Sequence, residues 1–222
     1  MKKKIISFSV WGNDPKYSVG ALKNADLQEE IYPEWTCRFY VEKDHPVIKD
    51  LKNFNCEIIE KDLENCWGLF WRFEAAFDST IERCIVRDCD SRINIREADA
   101  VKEWENSGYK VHSMKDHFYH RNYHFLAGMW GIVSGSVPDF ENLMLNYKMN
   151  TKRALNRDFS VREELDQFFL NRIMGPLVLN DCLIHDDLGG FSDKKIPFKK
   201  SLPNGFFVGQ QLYADDTPLP IP

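Results

Sequence analysis

Two aspartates, Asp88 and Asp90, stand two positions apart directly after the apolar run at 83–86. In extended backbone the side chains of residues i and i+2 point to the same side, so both carboxylates can face one ion. Their hard oxygens suit Mg²⁺ or Mn²⁺, and such an ion would neutralise charge on the diphosphate of a substrate. The spacing therefore predicts a cation site. A solvated turn is the alternative, because Asp-x-Asp alone is a common pattern.

Further basic and imidazole side chains extend this prediction. Arg87 and Arg92 flank the aspartates and add positive charge that fits an anionic ligand. Arg72 lies among aromatic residues on a stretch with helical spacing. Facing the interior, its guanidinium would suit bidentate contact with phosphate oxygens, whereas at the surface it would only pass over aromatic rings. His185 ends an apolar run and precedes two aspartates, so it is either a metal ligand tuned by a carboxylate or a structural residue.

The segment 112–124 holds four of the six histidines in the chain. A zinc or di-metal hydrolase site would cluster imidazole and carboxylate ligands in this way, but the spacing does not match His-Glu-x-x-His or another helical ligand pair. A polar loop rich in histidine is the simpler interpretation. The sequence contains no Walker loop and no Gly-x-Gly-x-x-Gly, which disfavours P-loop proteins and Rossmann dinucleotide-binding proteins. It also lacks Gly-x-Ser-x-Gly, which disfavours Ser-His-Asp catalysis.

Apolar strand-like runs alternate with stretches of helical spacing along the chain. Strands are predicted at 4–11, 36–41, 56–59, 83–86, 109–112, 125–134, 182–184 and 206–208. Helices are predicted at 17–31, 69–77, 97–104, 138–147 and 161–173, and the rest of the chain after 186 as loop. This alternation indicates a single α/β domain with a largely parallel sheet. The aspartate pair would then follow the fourth strand, at the edge where open α/β sheets bind ligands.

Composition limits the class of protein. The 222 residues are 43% hydrophobic and 28% charged, as in a soluble globular domain. Acidic residues outnumber basic ones by 34 to 29, which argues against a nucleic-acid binder. No integral membrane segment is predicted, because no apolar run reaches the roughly 18–20 residues that span a bilayer, and the basic start leads into a strand-like run without a cleavage site. The six cysteines form no Cys-x-x-Cys pair, which disfavours a structural zinc site. The size of the chain and the lack of an export signal favour free thiols in the cytoplasm over disulfides.

The aspartate segment also carries a family resemblance. Residues 85–90, Ile-Val-Arg-Asp-Cys-Asp, resemble the Asp-x-Asp signature of sugar-nucleotide-dependent glycosyltransferases with the GT-A fold. The first strand with its turn at 12–13 is similar to the part of that fold that cradles the nucleotide, and the glycine-bearing run 125–131 resembles the strand that lines the sugar pocket. Residues 166–171 resemble the Asp-Gln-Asp-x-Leu-Asn element of the glycogenin and galactosyltransferase-like group, with Phe168 in place of the second acid.

This resemblance implies a single GT-A-like domain over 1–222, with a Rossmann-like, mixed but mostly parallel sheet flanked by helices. Residues 1–115 would form the nucleotide-binding half with the Asp-x-Asp motif, and 116–222 the acceptor-binding half and a C-terminal loop tail. The implied activity is metal-dependent transfer of a sugar from a nucleotide-diphosphate donor, expected to be a UDP-sugar, to a hydroxyl of a polysaccharide or glycolipid acceptor. The chain as a whole resembles small bacterial and viral transferases of capsule and surface-glycan biosynthesis. The implied cofactor is Mn²⁺ or Mg²⁺, and the implied location is the cytoplasm or the inner face of the membrane.

The resemblance also implies roles for individual residues. The residues expected to bind the donor are Val10, Trp11, Gly12, Asn13, Tyr17, Arg72, Arg87, Asp88, His117 and Gly128. The expected metal ligands are Asp88, Asp90 and His185, and the residues expected to act at the two sugars are Asp116, Asp166 and Gln167. The glycogenin-like element favours retention of configuration, although the departure at position 168 leaves inversion open.

Alternatives to this interpretation remain. A metal-dependent phosphohydrolase would use Asp88 as nucleophile and Asp90 as acid/base, although such enzymes carry the pair after their first strand rather than their fourth. A non-catalytic module that binds a sugar nucleotide or a glycan would keep the pocket without turnover. For Asp166 the alternative is an acid in the first turn of a helix, favoured only by the helix macrodipole.

Overall fold

The computed structural model describes residues 2–154, 164–188, 195–203 and 205–220, without the side chains of 65, 66, 153 and 154. The strands are β1 (Lys3–Val10), β2 (Thr36–Glu42), β3 (Glu57–Lys61), β4 (Ile81–Arg87), β5 (Val111–Lys115), β6 (Met129–Val133), β7 (Cys182–Asp186) and β8 (Lys195–Ile196). The α-helices are α1 (Pro15–Ile31), α2 (Val47–Leu51), α3 (Ile95–Ser107), α4 (Phe140–Ala154), α5 (Leu165–Phe169) and α6 (Gly175–Val178). The 3₁₀ helices are Asn65–Ala76, Phe118–Asn122 and Leu179–Asp181, and Leu170–Met174 is a π-helix that continues α5.

The described strands form one sheet in the order β3-β2-β1-β4-β6-β5-β7-β8. β6 runs antiparallel to both of its neighbours, β4 and β5, and the other neighbouring pairs are parallel. The predicted single α/β domain with a mixed, mostly parallel sheet flanked by helices is confirmed. Because β1, β4, β5 and β7 point the same way, they end at one edge of the sheet. The loops that follow them can therefore build a common site.

Both faces of the sheet are covered, which explains why its strands read as apolar runs rather than as alternating patterns. One face packs against the 3₁₀ helix Asn65–Ala76, α4 and α5 through a cluster rich in aromatic rings, in which Phe73 lies edge-on to Trp130 at 5.3 Å. The other face packs against α1 and α3, and there Phe8 stacks on Phe39 at 5.0 Å. Successive residues of a strand therefore join different cores.

Local sequence fixes the start of α1 at the site edge of the sheet. Asp14 accepts a hydrogen bond from the Lys16 backbone N–H (3.0 Å), and Pro15 takes the first helical turn, where a missing N–H costs nothing. Gly20 lies so close to the loop after β4 that a Cβ there would stand 1.8 Å from the Cys89 carbonyl oxygen. The first turns of α1 are thus held directly against that loop.

Several predicted elements need correction. The run 125–134 forms β6 only over its second half, because its first half is bound by side chains instead of by a neighbouring strand. The stretch 69–77 lies mostly within a 3₁₀ helix. Residues 206–208 form a turn rather than a strand. Of the predicted helix 161–173, the first three residues lie outside the described residues, and the rest changes from α to π geometry after α5.

Two further findings concern expectations about environment. No helix in the described ranges is long and apolar enough to cross a bilayer. The five cysteines whose side chains are described carry free thiols, and the sixth, Cys66, lies outside that set.

Candidate active site

A cavity of about 710 Å³ opens at the edge of the sheet where β1 and β4 end. It brings together eight of the residues singled out in the sequence: Trp11, Gly12, Asn13 and Tyr17 from the first-strand turn and α1, and Arg72, Asp88, Asp166 and Gln167 from the elements opposite. These residues come from both halves of the chain. Their convergence follows from the topology. The adjacent parallel strands β1 and β4 end at this edge, where the 3₁₀ helix Asn65–Ala76 packs against the sheet.

The turn after β1 is fixed by contacts on both of its sides. Gly12 has a φ of +74°, a left-handed conformation that glycine adopts without strain. Its N–H donates to Glu42 Oε2 (2.9 Å), and its carbonyl accepts from His45 Nε2 (2.8 Å). Trp11 lies against Gly68, where a Cβ would stand 2.5 Å from the indole ring. The turn is therefore a pre-formed wall with an aromatic ring, and the Gly12 N–H and carbonyl that fix it are bound within the protein.

Arg72 joins two carboxylates at the other end of the cavity. Its guanidinium donates from Nη1 to Asp88 and from Nη2 to Asp166 Oδ2 (2.8 Å). The backbone of Arg72 is held by β1, because its carbonyl accepts from Ser7 Oγ (2.7 Å) and its N–H donates to Ser9 Oγ (3.0 Å). Arg72 is buried, and a buried charge is tolerated only when paired in this way. The arginine thus ties β1, the Asp-x-Asp loop and α5 into one charged cluster.

The protonation of the carboxylates follows from their surroundings. Burial raises the pKa of Asp166, and the positive charge of Arg72 opposes that shift. Burial, together with the negative charge of Asp88, raises the pKa of Asp90 to about 6. Lys16 Nζ lies 3.5 Å from Asp90 Oδ2, yet no hydrogen bond from the described residues reaches that buried oxygen. Asp90 therefore sits beside a second carboxylate, and its buried Oδ2 has the Lys16 ammonium as a charged neighbour.

Two neighbouring carboxylates fit a hard divalent cation, which proteins commonly bind through one or two carboxylates together with substrate phosphates and water. The predicted third ligand does not join them. His185 is fully buried on the face covered by α3, where its Nδ1 hydrogen-bonds His112 Nε2 (2.8 Å). β7 lies three strand positions from β4, or about 14 Å across the sheet. Among the described residues no group of three or more His, Cys, Asp and Glu side chains is arranged to hold a metal.

Gln167 and its neighbour Asn171 one helical turn on shape the cavity wall. The Gln167 amide accepts from the Ala127 N–H (2.9 Å) and donates to the Phe125 carbonyl. Asn171 Oδ1 accepts from the N–H groups of His124 and Phe125, both at 3.1 Å. These amides replace the strand partner that residues 124–127 lack. Gln167 therefore lines the cavity with its side-chain polar atoms already bound to backbone.

Gly128 lies directly against the Asp-x-Asp loop. A Cβ at this position would stand 1.8 Å from Asp88 Oδ2, so the close approach requires glycine. Gly128 lines a second, smaller cavity of about 370 Å³, to which Asp88 and Gln167 also contribute. The two cavities are neighbours with a shared wall.

Two residues expected to bind the donor face away from both cavities. Val10 is buried in the core beneath α1. Arg87 is also buried, and its Nε donates to Glu97 on α3 (3.0 Å). The reason is strand alternation: Ser9 and Asp88 point toward the cavity, so Val10 and Arg87, one position away, point to the opposite face. They lie apart from the cavity that brings most of the other expected donor-binding residues together.

Asp116 and His117 serve the C-terminal segment instead of lining a cavity. Asp116 Oδ2 accepts from Arg96 Nε (3.1 Å) and from the Val208 N–H (3.0 Å). The His117 ring stacks on Phe207 with 3.9 Å between centroids. Neither residue is part of the lining of the two cavities. The expected action of Asp116 at a sugar and of His117 at the donor does not fit these positions.

Some lining residues had no signal in the sequence analysis. Tyr119 and Tyr123 come from the histidine-rich segment, whose position could not be fixed from spacing, and Glu164 accepts a hydrogen bond from the Tyr123 hydroxyl (3.0 Å). Gln211 comes from the C-terminal segment, which returns to the site because the Leu212 N–H donates to the Asp90 carbonyl (2.7 Å). That irregular segment carries no periodicity that could have placed it.

Comparison with known proteins bears on the fold. No family model and no curated protein sequence matches this chain. Among solved structures, an active-site mutant of LgtC superposes with a TM-score of 0.51 at 12% identity, covering 82% of this chain and 72% of LgtC. The glycosyltransferase GlyE of Streptococcus pneumoniae TIGR4 gives 0.51 at 10% identity, covering 83% of this chain but only 45% of GlyE. The chain has the GT-A glycosyltransferase fold.

A third structure, a glycosyltransferase involved in the glycosylation of the major capsid of PBCV-1, matches 83% of this chain and 81% of its own at 14% identity and a TM-score of 0.45. In this GT-A fold, the cavity at the carboxyl edge of the sheet follows the general rule for ligand sites of open α/β sheets. At such low identities the likeness concerns the fold, so the chemistry has to be argued from the site.

Proposed function

We propose that this protein is a glycosyltransferase that uses a divalent cation and a nucleotide-diphosphate sugar donor. One observation carries the proposal: a continuous cavity of about 710 Å³ runs from the turn at Gly12 to Asp88 and Asp166. Its volume lies in the range of roughly 300–1,000 Å³ that is usual for ligand and cofactor sites. One end is aromatic and the other is charged. A nucleotide sugar needs this arrangement, since its base is flat and its diphosphate is anionic.

The donor would lie along the cavity with its base at the first-strand turn. Trp11 and Tyr17 offer aromatic surface there, and the backbone at Asn13 offers polar groups for the base and ribose. The diphosphate would lie at the Arg72 end. Ser7 and Ser9 of β1 hold the Arg72 backbone, and Asp88 and Asp166 hold its guanidinium, so its charge has a fixed position for phosphate oxygens.

Asp88 and Asp90 would hold the cation, Mg²⁺ or Mn²⁺. The supporting observation is the buried Asp90 Oδ2, which lies next to the carboxylate of Asp88 and 3.5 Å from the Lys16 ammonium. When bound, the cation neutralises charge on the diphosphate leaving group.

In the proposed reaction the bond from the anomeric carbon to the donor phosphate oxygen breaks, and a bond to an acceptor hydroxyl oxygen forms. The hydroxyl proton passes to the departing phosphate oxygen, and the nucleoside diphosphate leaves. Arg72 keeps a fixed positive charge where the leaving group gains negative charge, which stabilises the transition state. Asp166, itself held by Arg72, and the wall formed by Gln167 orient the transferred sugar. A UDP-sugar donor and a polysaccharide or glycolipid acceptor of a surface glycan complete the proposal on the basis of the motif resemblance.

The hydrolase alternative fits the site less well. Such an enzyme carries its aspartate pair after the first strand, whereas Asp88 and Asp90 follow β4.

A thermal-shift experiment tests the proposal. UDP, GDP and CDP are each added with Mn²⁺, Mg²⁺ or EDTA. A nucleotide at about 100 times its Kd adds about 2.7 kcal/mol to the free energy of unfolding, which raises the Tm by about 5–11 °C for a chain of this size. We expect this rise for one nucleotide with a metal and its loss with EDTA. No metal-dependent rise with any of the three would contradict the proposal.

Matched variants locate the effect. Asp90→Asn should abolish the metal-dependent rise, because it removes the charge on the oxygen assigned to the cation. Asp50→Asn makes the same chemical change on an exposed position of α2 and should leave the rise intact. With Asp50→Asn, release of free nucleotide from the sugar derivative of the nucleotide that binds would show turnover. That result would distinguish an enzyme from a binding module.

A further inference from the structure

The smaller cavity of about 370 Å³ differs in charge from its neighbour. None of the described residues that line it is lysine or arginine, whereas the larger cavity has Arg72. Its titratable groups are Asp88, which it shares with the larger cavity, His120 and Tyr119. Burial, together with the nearby His117 and Lys115, lowers the pKa of His120 to about 4, so this imidazole is neutral at neutral pH. A phosphate would find no positively charged partner in the lining, so the cavity suits a neutral polar ligand.

Gln210 supplies an independent observation. Its side chain is 8% exposed and lines this cavity, and its Oε1 is buried without a hydrogen-bond partner among the described residues. A buried amide oxygen left unpaired costs free energy, so such groups usually have a partner that completes them. Because this oxygen is covered in the structure, a hydroxyl group in the cavity would donate to it after a rotation of the Gln210 side chain.

Tyr119 adds an apolar surface at the mouth of the same cavity. It lines both cavities and is 47% exposed, and Phe118 beside it is 54% exposed. Large exposed aromatic rings next to a pocket commonly mark a binding surface. A flat ring beside hydrogen-bonding amides matches a pyranose, which has a face of C–H groups and hydroxyls around its edge.

Resting on the proposed function, we propose that the smaller cavity binds a neutral saccharide ring of the acceptor. Gln210 accepts a hydrogen bond from one of its hydroxyls, and Tyr119 packs against its C–H face. The two cavities share Asp88 and Gln167 in their lining. An acceptor hydroxyl in the smaller cavity would therefore lie next to the Arg72 end of the larger cavity, where the diphosphate of the donor would lie. The acceptor is thereby assigned to uncharged glycans, and a phosphorylated terminal sugar is excluded.

Saturation-transfer NMR on the full chain without nucleotide tests this proposal, with the methyl glycosides of glucose, galactose and N-acetylglucosamine as probes. We expect at least one to bind the wild type. Gln210→Met keeps the volume and removes the unpaired oxygen, so it should leave the Tm unchanged or higher and weaken binding about three- to tenfold. A mere packing defect at Gln210 would give the same Tm without any loss of binding, which would overturn the assignment.

Tyr119→Ala should weaken the same glycoside by a similar factor. Tyr213→Ala is the matched control, because Tyr213 is 46% exposed and lines neither cavity, and this variant should bind as the wild type does. Absence of binding by all three glycosides, or tighter binding of glucose 6-phosphate than of methyl glucoside, would overturn the proposal. Nucleotide binding is read separately by thermal shift. If glycosides bind and nucleotides do not, the transferase proposal fails while the saccharide site stands, and the reverse result removes only the saccharide site.

Discussion

Replacing Arg72 with methionine probes the charged cluster at the centre of the site. Methionine preserves much of the side-chain length and removes the charge that pairs with Asp88 and Asp166. Asp166 is buried, and its carboxylate would be left without the positively charged guanidinium of Arg72. Breaking a buried ion pair from one side costs about 3–5 kcal/mol. For a chain of this length we therefore expect the Tm of Arg72→Met to fall by about 6–20 °C at neutral pH.

The pH dependence of this loss has a definite sign. Burial raises the pKa of Asp166 in the folded protein, and the charge of Arg72 restrains that rise. Without Arg72 the folded-state pKa rises further, so folding of the variant favours the protonated acid. The stability of such a group is present at low pH and is lost as the pH rises through its folded-state pKa. The destabilisation of Arg72→Met relative to wild type should therefore be larger at about pH 8 than at about pH 5.

Urea denaturation of wild type and variant at both pH values measures the difference in the free energy of unfolding. Adding Asp166→Asn to the Arg72→Met variant removes the orphaned charge and should recover at least half of the loss. A penalty below about 1 kcal/mol at neutral pH, or one that is equal at both pH values, would refute the argument that Arg72 exists to neutralise a buried carboxylate.

Three further predictions concern residues around the cluster. Arg87→Met should lower the free energy of unfolding by about 3–5 kcal/mol without changing the Kd for the nucleotide, because Arg87 pairs with Glu97 under α3; a weakened Kd by calorimetry would argue against this placement. Gly128→Ala should abolish metal-dependent nucleotide binding, since its Cβ would collide with the Asp88 carboxylate; normal binding in a thermal-shift titration would contradict it. Burial lowers the pKa of His112 and brings that of His185 to about 4, because the folded protein disfavours the charged imidazoles. Their contribution to the free energy of unfolding is therefore complete above about pH 6.5 and is lost as the pH falls toward 4. His185→Leu should reduce that slope in a series of Tm measurements, and an unchanged slope would point to other groups.

Several predicted residues that line the larger cavity owe their position to local structure. Asp88 follows a strand that is recognisable from its apolar run, and the turn at Gly12 follows another. Two adjacent parallel strands must end at the same edge, so their loops meet without any information about distant packing. The spacing argument for Asp88 and Asp90 also implied that Arg87, one residue earlier, faces the other side. Strand alternation is visible in the amino-acid sequence itself, and it is sufficient to place Arg87 on the face opposite Asp88.

The misplacement of His185 has a different cause, which no local pattern could have revealed. β7 ends at the same edge as β4, so the direction of its strand agrees with a ligand there. Its distance from β4 depends on β6 and β5 standing between them, and an antiparallel strand inserted in that position is not encoded by periodicity. The face on which His185 lies depends in turn on the register of three strand pairs.

The C-terminal segment shows how an irregular chain can complete a site that regular elements only begin. Its anchors are backbone and carboxylate contacts: the Leu212 N–H to the Asp90 carbonyl, the Val208 N–H to Asp116, and Lys23 and Arg92 to Asp216. These contacts hold Gln210 beside the smaller cavity. The segment binds the aspartate loop itself, so it is positioned by the same element that is proposed to bind the cation. Specificity for the proposed acceptor would therefore vary through this segment while the Asp-x-Asp loop, fixed by β4 and α1, keeps its geometry.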